Sequence, residues 1–416
     1  MARARNVHML GCMAHGDGSG TGTPVTGRSP RDRRGMLVRV VPAGSLDRAQ
    51  LDRWTELQNS SPSLASPYFC PEYTRVIAAA RRDVRVGLLE GGDGPVGFFP
   101  FQRGRLGIGA PVGSLITDYH GIIAGEGVHV DAVEILRACG LKTWAFHHVP
   151  AAQTAFERFS RSRCDSAVID LSRGFEEYMH ERRESGSHLR ASIGRKQRKL
   201  ELEHGPLRYV EHTADPSVLT LLMQWKIRQY RQTGAINALT RAWVQKALRL
   251  MHETQGEAFA GVLSLLCAGG SPVAVHLGIR SATVLHSWFP AYDPRFASYS
   301  PGLILFLKMA ESVPASGIRA IDLGPGEGQH KLILKNSGSP LLEGMAEVPS
   351  LTATAVRASR TARALVHRTW LAPRLRSIAR RVEAAQGGGL VASVVPSPPV
   401  NQPPEGVSEG SGAGQV

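Results

Sequence analysis

The sequence predicts a mixed α/β fold made of two tandem, similar halves. Short strand-like runs alternate with amphipathic helical runs along most of the chain. Both halves share one order: a hairpin, then a helix, then a further strand. The 416 residues, 42% of them hydrophobic, suffice for about two domains plus tails.

Taken in order, residues 1–35 are rich in Gly, Ser and Arg and lack periodicity, which predicts a disordered basic segment. Met36 opens the strand-like run Leu37–Val41 and is a second candidate for the initiating residue. An N-terminal domain is expected over 36–165. It starts with a helix over about 47–58, then a helix from Pro71 to about Arg82, with proline suited to a first turn. Val84–Glu90 and Pro95–Phe101 read as a hairpin about a glycine-rich turn. The loop after it holds Asp118, Tyr119 and His120, candidates for substrate binding because loops carry function. A helix from Asp131 and a strand over Leu141–Phe146 close this half.

A C-terminal domain is expected over 166–348. It opens with a strand (Ser166–Leu171) and a helix (Phe175–Arg183), followed by a basic helix, Leu189–His204. Helices near 216–232 and 241–253 precede three strands, Phe259–Cys267, Pro272–Arg280 and Thr283–Phe289, whose short turns predict an antiparallel meander. A helix then starts near Pro301, a strand runs over Ile318–Leu323, and another helix begins near Gln329. Residues 349–385 form a basic helical segment, kinked at Pro373, and 386–416 a disordered Gly/Pro/Ser-rich tail.

Composition narrows the function. The net charge of +14 attracts polyanions: nucleic acid, anionic lipid or phosphorylated cofactors. No apolar run approaches the roughly 18–20 residues that span a bilayer, and the N-terminus has no apolar signal core, so the reading is cytoplasmic. The arginines and apolar stripe of the basic C-terminal helix suit peripheral contact with the inner membrane. The five cysteines, Cys12, Cys70, Cys139, Cys164 and Cys267, form no CxxC pair, so no metal is expected and Cys164 and Cys267 read as buried thiols. The run Gly324-x-Gly326-x-Gly328 has the wrong spacing for a dinucleotide fingerprint, and no HExxH, GxSxG or Walker motif occurs.

The densest chemistry lies between 273 and 331. Ser300 can cap a helix, with Pro301 at its first position and Gly302 allowing close approach, which makes an anion site. The next strand ends in Asp322, before a glycine-rich turn and Lys331. Lys226 and Gln229, three apart on a helix, share a face and are candidates for substrate binding. His276 on a core strand reads as a core residue.

These residues resemble a family pattern. Ala274 and His276; Tyr292, Asp293, Pro294 and Phe296; Tyr299, Ser300, Pro301 and Gly302; and Asp322, Gly324, Gly326, Glu327 and Lys331 are similar to the BioF2-like, FemAB-related (CelD/BcsL) acetyltransferases of the GNAT superfamily. Trp225, Lys226, Gln229, Tyr230, Thr233 and Gly234 match an upstream helix of that family. His330 departs from it, standing where the family has Tyr.

The resemblance covers about 40–345. It implies acyl transfer from acetyl-CoA or another acyl-CoA to an amine or hydroxyl of a small molecule or glycan precursor, in exopolysaccharide or envelope synthesis. It places the cofactor on Tyr299, Ser300, Pro301, Gly302, Asp322 and Lys331. The catalytic base is expected at His286 or Asp293, with Tyr292 as a supporting hydroxyl. Rival readings are an aminoacyl-tRNA-dependent ligase of the Fem type, which would draw tRNA to the basic helices, and an inactive scaffold.

Overall fold

The computed structural model describes residues 37–367, apart from 93, 235–236 and 327. The two terminal segments, the initiation choice at Met36, the kink at Pro373 and Glu327 therefore lie outside the described residues.

Strand β1 (Leu37–Pro42) leads to helix α1 (Arg48–Asn59). The Asp47 carboxylate accepts from Gln50 N, and the Gln50 side chain accepts from Asp47 N. This reciprocal cap satisfies two otherwise free groups and contributes about 1 kcal/mol. Helix α2 (Pro71–Ala80) begins on a proline whose missing N–H costs nothing there. Strands β2 (Val84–Gly91), β3 (Gly94–Arg103), β4 (Ile108–Ala110) and β5 (Ile123–Ala124) precede helix α3 (Ala132–Ala138). Strands β6 (Thr143–Pro150) and β7 (Ser160–Asp170) follow.

Helices α4 (Phe175–Glu184) and α5 (Leu189–His204) lead to the second half. That half holds β8 (Leu207–Val210), α6 (Pro216–Thr233), α7 (Ala242–Glu253), β9 (Ala260–Ala268), β10 (Ser271–Arg280) and β11 (Val284–Tyr292). It ends with α8 (Pro301–Ser312), β12 (Ala320–Pro325), α9 (Gln329–Leu334), β13 (Ser337–Glu347) and α10 (Leu351–His367).

Among the described residues all thirteen strands join one sheet, in the order β1-β2-β3-β4-β6-β13-β7-β12-β11-β10-β9-β8, with β5 paired to β3. Among the described strand pairs only β4/β6 and β11/β12 are parallel. The sequence β1-α1-α2-β2-β3-β4-α3-β6-β7 thus repeats as β8-α6-α7-β9-β10-β11-α8-β12-β13. The duplication is closed by exchange at the centre. β7 pairs with β12 of the second half, β13 pairs with β6 of the first, and the two exchanged strands pair with each other. The boundary expected at 165/166 falls inside β7.

Alternate side chains of the sheet enter different cores, as the two-residue period requires. One cluster joins both halves on the face covered by α1, α2, α6 and α7, with Trp54, Tyr73, Ile77, Leu222, Leu248 and Met251 fully or almost fully buried. On the opposite face α5 and α8 cover the second half and α3 the first. The halves are therefore one packed body over the described residues.

Candidate active site

The two parallel strand pairs mark where each half opens. In the second half β11 and β12 keep register for three pairs, Val284↔Ala320, Leu285↔Ile321 and His286↔Asp322, and then part. Beyond Asp322, β12 slips in its pairing with β7, and Gly324 takes φ 81°, a left-handed conformation that glycine adopts without steric cost. A Cβ on Gly324 would sit 3.2 Å from Asp118 Oδ2, so this turn passes close to the loop from the first half.

That contact assembles a buried acid–base cluster. His286, with no exposed surface, places Nε2 2.9 Å from Asp118 Oδ2. Its Nδ1 stands 3.6 Å from Asp322 Oδ1, an ion-pair distance. Asp322 is saturated by donors: Tyr119 Oη gives to Oδ2 at 2.6 Å, while Ser166 Oγ and Gly324 N give to Oδ1 at 2.5 and 2.8 Å. The Tyr68 ring stands edge-on to His286 at 4.9 Å. Asp118 keeps 33% of its side chain exposed and is the cluster's outlet to solvent.

Burial disfavours a charged His286, yet the carboxylates of Asp322 and Asp118 outweigh it and raise its pKa to about 9. Burial likewise opposes the Asp118 charge, but the His286 hydrogen bond and positive charge lower its pKa to about 2. Asp322 shifts down for the same reason. At neutral pH the cluster is an imidazolium held between two carboxylates.

The remaining sequence candidates fall into three groups. His120 is buried and its Nε2 accepts from His147 N and His148 N, which fixes its proton on Nδ1 and makes it a backbone prop. Lys226 is buried, not solvated. Its Nζ donates to Pro290 O at 2.9 Å, and burial, with the nearby Lys331 charge, lowers its pKa to about 8. Gln229 is half-buried on the same helix. Lys331 donates to Gly324 O and Pro325 O at 3.0 and 2.6 Å, and so staples the glycine turn.

The third group lies at the other end of β11. Asp293 caps the 3-10 turn after that strand and is paired with Arg295 at 2.7 Å. Seven residues of strand place it about 23 Å from His286, so the two cannot serve one reacting atom. Tyr292 is 43% exposed beside Gly302. Tyr299 bonds Glu203 and His204 of α5. Ser300 has φ 52°, and its hydroxyl accepts from Lys196 Nζ at 2.7 Å, so it does not cap α8 as the sequence suggested. The first turn of α8, Pro301 and Gly302, has no side-chain cap and lies beside the basic helix α5. His330 stacks on Phe306 at 6.3 Å and 19°, and burial lowers its pKa to about 4, so it is a neutral aromatic ring. His276 is fully buried and neutral, with no hydrogen-bond partner among the described residues for either ring nitrogen, rather than the satisfied core residue a histidine usually is.

Sequence reasoning missed Ser166 and Tyr68. Ser166 is a lone serine within a strand and gave no signal. Tyr68 lies in the Pro-rich approach to α2, far in sequence from the His286 ring it packs against.

Residues 187–332 match the family described as acetyltransferase (GNAT) domain. No functionally curated protein matches the chain by sequence. Among solved structures, FemX is similar at 10% identity over 71% of this chain and 94% of that one, with a TM-score of 0.48. A tandem GNAT protein from the clavulanic acid biosynthesis pathway is similar at 12% identity over 75% and 99%, with a TM-score of 0.43. L-PGS from Bacillus licheniformis is similar at 11% identity over 77% and 97%, with a TM-score of 0.44.

Proposed function

We propose that this chain transfers an acyl group from acyl-CoA to an amine or hydroxyl of a small molecule or glycan precursor. The observation that carries the reading is the end of β11/β12 pairing at His286↔Asp322, which opens the sheet at the edge of the acid–base cluster. The strand from there to Tyr292, which lies beside Gly302 in the first turn of α8, spans about 20 Å, suited to an extended arm with its diphosphate at the helix N-terminus. Lys196 stands beside that terminus to meet the anion.

In the reaction the acceptor N or O attacks the thioester carbonyl carbon. Backbone N–H groups on the opened edge of β11 stabilise the oxyanion. The C–N or C–O bond forms, the C–S bond breaks, and CoA leaves as thiolate. The acceptor's proton passes to the His286–Asp118 pair and on to the thiolate. His286, raised to about 9, takes this proton in its neutral form, so the rate rises with pH toward that value. Asp118 orients the ring. The envelope or exopolysaccharide setting follows the family resemblance, and exposed Leu351 at the head of the basic helix α10 suits membrane contact.

A second reading, an aminoacyl-tRNA donor, is favoured by exposed Arg195, Arg198 and Lys199 on α5. Calorimetry of the full chain with acetyl-CoA decides between donors. Micromolar binding that Gly302→Asp removes and Lys196→Ala weakens supports acyl-CoA. If no acyl-CoA binds and charged tRNA binds with steep salt dependence, the donor is aminoacyl-tRNA. If neither binds, the chain is a scaffold.

A further inference from the structure

The three central strands bring together a second set of side chains that the acyl-transfer reading does not use. His148 lies on β6, Cys164 on β7 and Glu343 on β13. One donor atom from each lies within 4.8 Å of the others. The register explains the meeting. Cys164 pairs with Leu341, so Glu343 is its diagonal neighbour on the same face of the sheet. On its other side the pairing of β13 with β6 shifts between Leu342↔Val149 and Gly344↔Phe146, so β6 carries the extra residue and sets both His147 and His148 opposite Glu343.

The donors are prepared for a ligand. The His148 imidazole makes no hydrogen bond among the described residues: its Nδ1 is buried without a partner, and its Nε2 stands 3.9 Å from Glu343 Oε1. A buried ring left so is costly unless something else engages it. Glu343 is held from behind, with Ser162 Oγ donating to Oε2 at 2.9 Å, which leaves Oε1 turned to the histidine. Glu343 keeps 37% of its side chain exposed, so the cluster opens to solvent on one side.

We propose that His148, Cys164 and Glu343 bind one divalent cation of the zinc class, with a fourth position open. A neutral imidazole, a thiolate and a carboxylate are the mixed N, S and O set that zinc accepts in tetrahedral geometry, and a contraction of about 1 Å brings the donors to bonding positions. A metal takes the neutral imidazole and the thiolate, so its binding displaces the Cys164 thiol proton. No sequence motif marks the site, because its ligands come from three strands that meet only through the exchange. A metal there ties β6 of the first half to both exchanged strands, so it acts as a staple across the seam.

The test is equilibrium dialysis of the full chain against Zn2+, and against Co2+ as a coloured substitute, with thermal unfolding in parallel. The expected result is one equivalent bound, a thiolate-to-cobalt charge-transfer band, and a Tm that Zn2+ raises and a chelator lowers. Cys164→Ser abolishes the band and weakens binding at least tenfold. Glu343→Gln, at a part-exposed position that tolerates change, weakens binding as well and serves if the cysteine variant fails to fold. Absence of stoichiometric binding overturns the proposal. So does a cobalt band that survives Cys164→Ser, or an affinity that Glu343→Gln leaves unchanged.

Discussion

The helix after β4 and the helix after β11 hold corresponding places in the two halves, yet they begin differently. At α3, the Asp131 carboxylate accepts from Val133 N and Glu134 N at 2.7 and 3.1 Å and is paired with Arg158. The anion position of that helix is filled by the protein's own carboxylate. At α8 no side chain caps the turn, and Lys196 stands beside it. The preceding strands differ as well: β4 has three residues and pairs with β6 at two positions, whereas β11 has nine. The loop after β4 does other work. It carries Asp118 and Tyr119 into the seam of the second half. One half fills its helix start with its own carboxylate and supplies part of the other's acid–base cluster.

The contrast can be broken at several points, and the largest effect is expected where the halves are joined. Asp322→Ala removes a counter-charge of buried His286 and leaves Tyr119 and Ser166 unpaired. A loss of about 3–5 kcal/mol is expected in urea unfolding. A loss below about 1 kcal/mol would show that the cluster does not hold the halves together. Next is Asp118→Asn, which leaves the fold but weakens the base. The rate constant should fall about 100-fold, as for loss of general-base assistance. The alkaline rise in kcat/KM, set in the parent near the His286 pKa of about 9, should move to lower pH. An unmoved pH profile would assign the base elsewhere.

Binding sharpens the comparison of the two helix starts. The Cβ of a residue replacing Gly302 meets only Tyr292 Cδ1, at 4.0 Å, so Gly302→Asp is sterically tolerated. Its charge should weaken acetyl-CoA binding tenfold or more, about 1.4 kcal/mol. Asp131→Ala should leave that affinity unchanged and cost about 1 kcal/mol of stability. Equal effects of both variants on the dissociation constant would erase the proposed difference between the halves.

Stability should also depend on pH. His286 has a folded pKa of about 9, above its unbound value of 6.5. Its contribution is therefore complete below about 6.5 and is lost as pH rises through about 9. Urea midpoints across that range should fall in the parent and fall less in His286→Gln.

Much of the fold was legible because helices announce themselves locally. The basic helix α5 runs from Leu189 to His204 as its pattern indicated, and the meander β9-β10-β11 follows its short turns. The strands that hold the sheet together were the least visible. β13 opens Ser337-Gly-Ser-Pro, which reads as a turn, although Leu341 and Leu342 on it are fully buried on opposite faces. β8 is four residues long and offers too little pattern. In the site, Asp118, Tyr119, His286 and Asp322 each carried a local signal, but not their mutual contact. That contact depends on the exchange of β7 and β13, which no local period encodes. The same limit hid the separation of Asp293 from His286, alternative candidates for the base that the extended strand between them keeps apart.

The exchange of the last strands also sets a timetable for the chain as it is made. β6 leaves the ribosome long before β13, its sheet neighbour, exists. Until the second half is finished, the first presents an unpaired strand edge beside apolar side chains such as Trp144 and Phe146. The nascent protein must hold that edge in reserve, and a truncation anywhere before β13 leaves it open to pairing with a stranger's strand.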